Sequence, residues 1–377
     1  MSGTVRAPIW VAQQDGTGNW TVVAPTGGSY RFSFLAGKDA IAWVSGTAPY
    51  FNSYILYGTP ADLAEYTNTR CYAPLRSASV SVNALNAGEQ AEVSLGWNSG
   101  FVSGPGTKSA SFSAQNAVMD LVAVLHKPGA PAARVVIRRA IPAATTTFAP
   151  IDFTSAEAFD TEHPSLTITG ASGEAVTFAQ WYYGTNGSRN EIFYGTSSTT
   201  LPTTYAAIPA AKQQAGDLHE AFAYTSTVSG AVRRTRSVDS YRHDGGSRTI
   251  DLPAIPASAP SVSVVSTSGY AKLRGQLAVP TGAKMIELWY SRSEGNASTS
   301  VAVIASTAYL ASSNADLTVP DFSSLAGWQS TYYPQATGTI NWSMYSYSWT
   351  ATLAGFYGKP LDGSQSTYVA WSSTISP

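Results

Sequence analysis

An all-β chain of tandem antiparallel β-sandwich modules with few short helices is the fold class this sequence predicts, on three observations. Apolar and polar residues alternate at a period of two, the pattern of strands that bury one face. Turn formers are frequent, with 32 Gly and 21 Pro among 377 residues, so short strands are joined by turns rather than by crossover helices. Charged residues make up 12% of the chain, half the ~25% usual in soluble domains. That balance excludes an ion-pair-rich helical bundle, a coiled coil and a charge-driven disordered chain. The length fits two to four domains.

The elements follow in order. Tyr30-Arg31-Phe32-Ser33-Phe34 puts its three aromatic rings on one strand face. Residues 59–66 form the best short helix, with Thr59 as cap, Pro60 at the first helical position and acids favouring the first turns. Ser79-Val80-Ser81-Val82 alternates as a strand. Residues 134–139 form an arginine-bearing strand, with Arg134 and Arg138 on one face and Arg139 on the other; Arg234 and Arg236 share a face in a matching strand. Ser261-Val262-Ser263-Val264 repeats the serine and valine alternation. The strand at 341–350 carries Tyr345, Tyr347 and Trp349 on one face and Trp342 and Met344 on the other.

Short strings recur about 100 residues apart. Asp120-Leu121, an arginine strand and Ile151-Asp152 match Asp217-Leu218, a second arginine strand and Ile250-Asp251. Pro164 to Ile168 matches Pro260 to Val264, and Trp181-Tyr182 matches Trp289-Tyr290. That period is the size of one β-sandwich. Modules are therefore expected at 1–75, 76–153, 154–256 and 257–377, the last two joined by a proline-spaced linker that ends at Pro260.

Gly28-Ser29-Tyr30-Arg31-Phe32 with Ala40-Ile41-Ala42-Trp43-Val44, and Pro320-Asp321-Phe322-Ser323 with Gly327-Trp328, resemble strings of uncharacterised bacterial exported proteins and lipoproteins. These are built of small β-sandwich modules of the fibronectin-III or transthyretin-like kind. The resemblance implies an extracellular or cell-surface protein and transfers no active site; the Met1-Ser2-Gly3 start is expected to follow a removed signal segment. No stretch has the length and apolarity of a membrane span. The single cysteine, Cys71, cannot form an internal disulfide, so packing must hold the fold.

A search for chemistry finds no catalytic residue set. There is no GxSxG elbow, no phosphate-binding glycine loop and no HExxH among the four histidines. Asp217 and His219 share a strand face as a two-ligand edge or as hydrogen-bonded sheet residues. No cofactor is implied, with calcium as the one exception. Asp15-Gly16-Thr17-Gly18-Asn19 offers Asp15 and Asn19 as oxygen ligands, and Asp160 and Glu162 lie in an acid-rich inter-module segment. A glycine-rich turn and a solvated acidic linker describe the same residues equally well. Net charge of −1 and nearby acids make nucleic acid a poor partner for the arginine strands.

Aromatic residues give the sharpest hypothesis. Tyr345, Tyr347, Trp349 and Trp342 cannot all point into one simple core, and aromatic faces suit sugars or partner surfaces. Residues 301–377 hold only four charged groups, Asp316, Asp321, Lys359 and Asp362. The sequence thus predicts a non-catalytic surface protein for adhesion, surface assembly or glycan binding, with a glycan, another surface protein or a second copy as partner. A polysaccharide hydrolase with acids assembled by the fold, and a self-assembling fibre subunit, are the competing readings.

Overall fold

Alternation does become strand: the computed structural model is 55% strand and 5% helix, an all-β fold. It describes residues 8–27, 29–34, 37–65, 75–171, 173–195, 197–226, 232–242, 245–254, 256–266, 269–350 and 362–377. Cys71, Ser172, His243 and Asp244 lie outside the described residues.

The chain opens with strands β1 (Trp10–Asp15), β2 (Thr21–Val22), β3 (Asp39–Thr47) and β4 (Tyr50–Gly58) and helix α1 (Pro60–Glu65). Thr59 caps α1 as expected: its Oγ1 accepts from Asp62 N at 3.3 Å while Asp62 Oδ2 accepts from Thr59 N at 2.9 Å. The expected strand at 30–34 makes no ladder. Phe32 and Phe34 stack on each other at 6.1 Å, but among the described residues no strand pairs with them, and alternation alone supplies no partner.

Eight strands follow: β5 (Leu75–Leu85), β6 (Gln90–Leu95), β7 (Asn98–Ser103), β8 (Gly106–Gln115), β9 (Met119–His126), β10 (Arg134–Ile141), β11 (Ile151–Asp152) and β12 (Phe159–Asp160). They form a sandwich of β11-β5-β8 over β12-β10-β9-β6-β7, closed on Val80, Val82, Leu95, Leu121 and Val136. The alternating valines of β5 point inward, as the serine and valine pattern requires.

Next come β13 (Leu166–Thr169), β14 (Val176–Tyr183), β15 (Arg189–Tyr194), β16 (Leu218–Ser226), β17 (Val232–Tyr241) and β18 (Arg248–Asp251). The pair β13-β18 covers β15-β14-β16-β17 around Phe178, Tyr205 and Ile250. The repeated strings hold equivalent places: β11 pairs in parallel with β5 and β18 in parallel with β13. The expected antiparallel order therefore has parallel exceptions, because each module's last short strand returns beside its first.

The chain finishes with β19 (Ser261–Ser266), β20 (Lys272–Ala278), β21 (Met285–Glu294), β22 (Ala297–Ser306), helix α2 (Thr307–Leu310), β23 (Asn314–Thr318), β24 (Ile340–Trp349) and β25 (Ser364–Ile375). The expected 1–75 unit does not stand apart here: β4 pairs in parallel with β22 over residues 50–57, so β1 to β4 extend the sheet of β21, β22, β24 and β25. Trp10, Ile55, Tyr290, Phe322 and Trp371 share the core beneath it. A further pairing, β17 with β25, fuses this sheet to that of the preceding module. The result is a twelve-stranded sheet with both smaller sheets on one side.

Candidate functional site

The other side of the twelve-stranded sheet carries the aromatic residues. Strand register fixes which side chains share it, because residues paired across a ladder point the same way. One row runs Trp43, Tyr54, Ala302, Trp289, Ser343; the next runs Ile41, Leu56, Ile304, Glu287, Tyr345, Ala370. Tyr347 lies opposite Met285 and Tyr368, and Trp349 opposite Ser366. Tyr345, Tyr347 and Trp349 thus face away from the sandwich core, half-buried. Tyr345 stacks on Tyr347 at 5.6 Å and 15°, with Tyr368 edge-on to Tyr345 at 6.2 Å; Trp43 stacks on Tyr54 at 5.0 Å.

This face is not a bare platform. Leu56, Met285, Ala302 and Ile304 are buried on it, with Leu63 of α1 packed over them and Trp43, Tyr54, Trp289, Tyr347 and Trp349 around them. Among these rings sits one acid, Glu287. Tyr347 Oη donates to its Oε2 at 2.9 Å. Burial pushes the carboxyl up to about 7, with the Tyr347 hydrogen bond acting in the opposite sense.

The aromatic surface continues onto the neighbouring module, because β25 joins β17 in register. Trp181 stacks on Phe222 at 4.3 Å and Phe222 on Tyr224 at 5.7 Å. Arg189 lays its guanidinium over Trp181 at 4.3 Å, within cation–π range. Where this edge meets the first sandwich, Trp97 packs edge-on to Tyr183 at 5.8 Å and is half exposed. Tyr183 Oη donates to Glu220 Oε2 at 2.5 Å. Glu92, only 4% exposed, accepts from Glu191 N at 3.0 Å. Its burial, and repulsion from Glu191, raise it to about 7.

The remaining sequence candidates are dispersed. Trp342 packs on the core side, with buried Met344, so the structure separates it from the other three aromatics. Period two puts adjacent parities on opposite faces, and only one parity of β24 is outward. Asp160 is held by Arg134 at 3.1 Å, and Glu162 lies in a bridge with Ala207. Arg138 likewise pairs with Glu157 at 2.7 Å. Asn19 is exposed, and Asp15 stands opposite Asp39. Asp217 accepts from Arg139, Tyr182 and Thr185, while His219 Nε2 accepts from Ile208 N at 2.9 Å, so the Asp217 and His219 edge is hydrogen-bonded sheet. Among the described residues no three His, Cys, Asp or Glu side chains gather as a metal site, and no helix is long and apolar enough to cross a membrane.

Sequence reasoning missed Trp289, Trp181 and Glu287 as parts of this face. The signal was present in the repeated Trp-Tyr pair: both tyrosines, Tyr182 and Tyr290, are fully buried, so their neighbouring tryptophans must point outward. Glu287 left no such trace, since an acid on a strand is ordinarily solvated. The chain matches no family model, no curated protein and no solved structure.

Proposed function

We propose that this chain is a non-catalytic extracellular or cell-surface protein that binds glycans on the outer face of its twelve-stranded sheet. The observation that carries the reading is the setting of Glu287: a carboxyl with a raised proton affinity, held by Tyr347, with Tyr345 opposite it in the ladder and Trp289 two residues along on the same face. Sugar rings present apolar faces and a fringe of hydroxyls. Aromatic rings match the faces, and an acid with tyrosine hydroxyls beside it matches the fringe. The stacked Trp181, Phe222 and Tyr224 extend the same chemistry toward the first sandwich, so a chain of sugars rather than a single one is the fitting ligand. Low overall charge suits a neutral or weakly charged polysaccharide.

The test is a glycan array probed with the full chain, followed by calorimetry on any glycan retained. Trp289→Ala and Tyr345→Ala are each expected to weaken binding by about tenfold, with the circular dichroism spectrum kept. Retention of no glycan by the parent, or equal affinity in both variants, overturns the reading.

A further inference from the structure

Beyond the aromatic rows, at the N-terminal ends of β4, β22 and β24, the outer face changes character. The next row across the ladder runs Ser45, Asn52, Ser300, Ser291, Asn341, Thr374. Each lies two positions along its strand from the row of Trp43, Tyr54, Ala302 and Trp289, and so shares its face. All six are amides or hydroxyls. Asn52, Asn341 and Thr374 are exposed, and the three serines are half-buried. Among the described residues these side chains make one hydrogen bond, Ser300 Oγ to Asn52 Oδ1 at 2.7 Å, which leaves the Asn52 Nδ2 and the whole Asn341 amide to bond elsewhere.

Aromatic rings border the row on both sides. On β4, Asn52 stands between Tyr54 and Tyr50, alternate residues of one strand. Tyr50 is 52% exposed, too far out of the core to be held for packing. Six strands spaced at about 4.8 Å make the strip about 24 Å long. Protein surfaces are ordinarily about a quarter to a third charged, yet neither the polar row nor the aromatic row beside it holds a charged side chain. The nearest acid on this face among the described residues is Glu287, one row beyond the aromatic rings.

Resting on the glycan-binding reading above, we propose that this strip selects an uncharged, linear polysaccharide laid across the strands, its ring faces on Trp43, Tyr54 and Trp289 and its hydroxyl edge on Asn52, Ser300, Ser291 and Asn341. Amides and hydroxyls both donate and accept, so they pair with sugar hydroxyls in either sense. A uronate or an ammonium brought onto the strip would lose water and gain no counter-ion. The length of the strip favours a chain of sugars over a single ring.

The full chain is run by affinity electrophoresis through gels holding hydroxyethyl cellulose, glucomannan, polygalacturonate or chitosan, and oligosaccharides of any retaining polymer are titrated by calorimetry. Expected are retardation by an uncharged polymer that persists at high salt and affinity that rises with chain length until the strip is spanned. Asn52→Ala and Asn341→Ala are each expected to weaken binding about three- to tenfold, with the circular dichroism spectrum kept. A parent that binds no glycan overturns both this proposal and the reading beneath it. Binding that Trp289→Ala weakens and the Asn52→Ala, Asn341→Ala double variant leaves unchanged overturns the strip alone. So does a preference for polygalacturonate or chitosan, or an affinity already complete with a disaccharide. Sedimentation showing parent dimers that Ser291→Arg dissociates gives the strip to a second copy and likewise overturns the proposal.

Discussion

Glu287 and Glu92 are acids whose folded setting favours the proton. Each is raised from 4.5 to about 7, chiefly by burial. A folded state that keeps a proton the unfolded chain releases is favoured at low pH. The contribution is fully present below about 4.5 and is lost as pH rises through about 7. For a shift of this size the loss is up to about 3 kcal/mol per acid. Glu287→Gln keeps an acceptor for Tyr347 and removes the titration. Urea unfolding at pH 5 and pH 8 is expected to show a parent that weakens at the higher pH and a variant whose dependence is reduced by about 2–3 kcal/mol. Equal pH dependence in the two proteins would show that Glu287 titrates normally. Glu92→Gln should behave in the same way, since its amide oxygen can still accept from Glu191 N.

At the scale of elements, the junction between the first two sandwiches turns on Arg139. Its guanidinium reaches Asp120 Oδ2 at 3.0 Å, Asp217 Oδ1 at 2.9 Å and Tyr182 Oη at 3.0 Å, and both aspartates are fully buried. Gly184 makes room for the arrangement, because a Cβ there would meet Asp120 Oδ2 at 2.7 Å. Around it Val122, Val135, Tyr182, Ile192 and Ile208 close an apolar layer between the modules. Arg139→Met leaves two buried carboxylates without their cation and is expected to cost about 3–5 kcal/mol. Asp217→Asn added to Arg139→Met should cost less than the sum of the two single changes, measured as a double-mutant cycle by chemical unfolding. Additive costs would disconnect the residues. The sequence shows the repeated Asp120 and Asp217 and assigns Arg139 to the opposite face from Arg134 and Arg138. Convergence of the two aspartates on one arginine was not legible. It depends on a register shift between Arg138 and Ile141, with Ala140 at φ of +51°, a bulge that re-aims side chains without leaving a pattern in local hydrophobicity.

For the whole molecule, local alternation made the fold class and most strands legible, while the sheet's unity lies in pairings between distant segments. The parallel union of β4 with β22 joins residues 248 positions apart in the register, as in Tyr50 with Ser298. No period-two signal specifies which strand a strand will meet. The same holds for β25, which pairs with β24 on one side and β17 on the other and so makes two sandwiches into one sheet. Its inward Val369 and Trp371 belong to the core of the last module, whereas its ladder to β17 reaches the module before it. Coupling between the halves should therefore depend on this strand. Val369→Pro removes a backbone donor from a strand paired on both edges and fixes φ, at a cost of about 3 kcal/mol or more. Scanning calorimetry of the parent is expected to show the β14–β17 and β21–β25 regions unfolding together. In the variant the endotherm should divide, with the half built from 10–58 and 260–377 melting first because it loses both ladder and core contacts. Hydrogen exchange locates the effect: amides of β24 and β25 should lose protection in the variant while those of β9 and β10 keep theirs. A variant whose single endotherm merely moves to lower temperature would mean that the apolar layer and Arg139 at the other junction, rather than the shared sheet, bind the molecule into one cooperative unit.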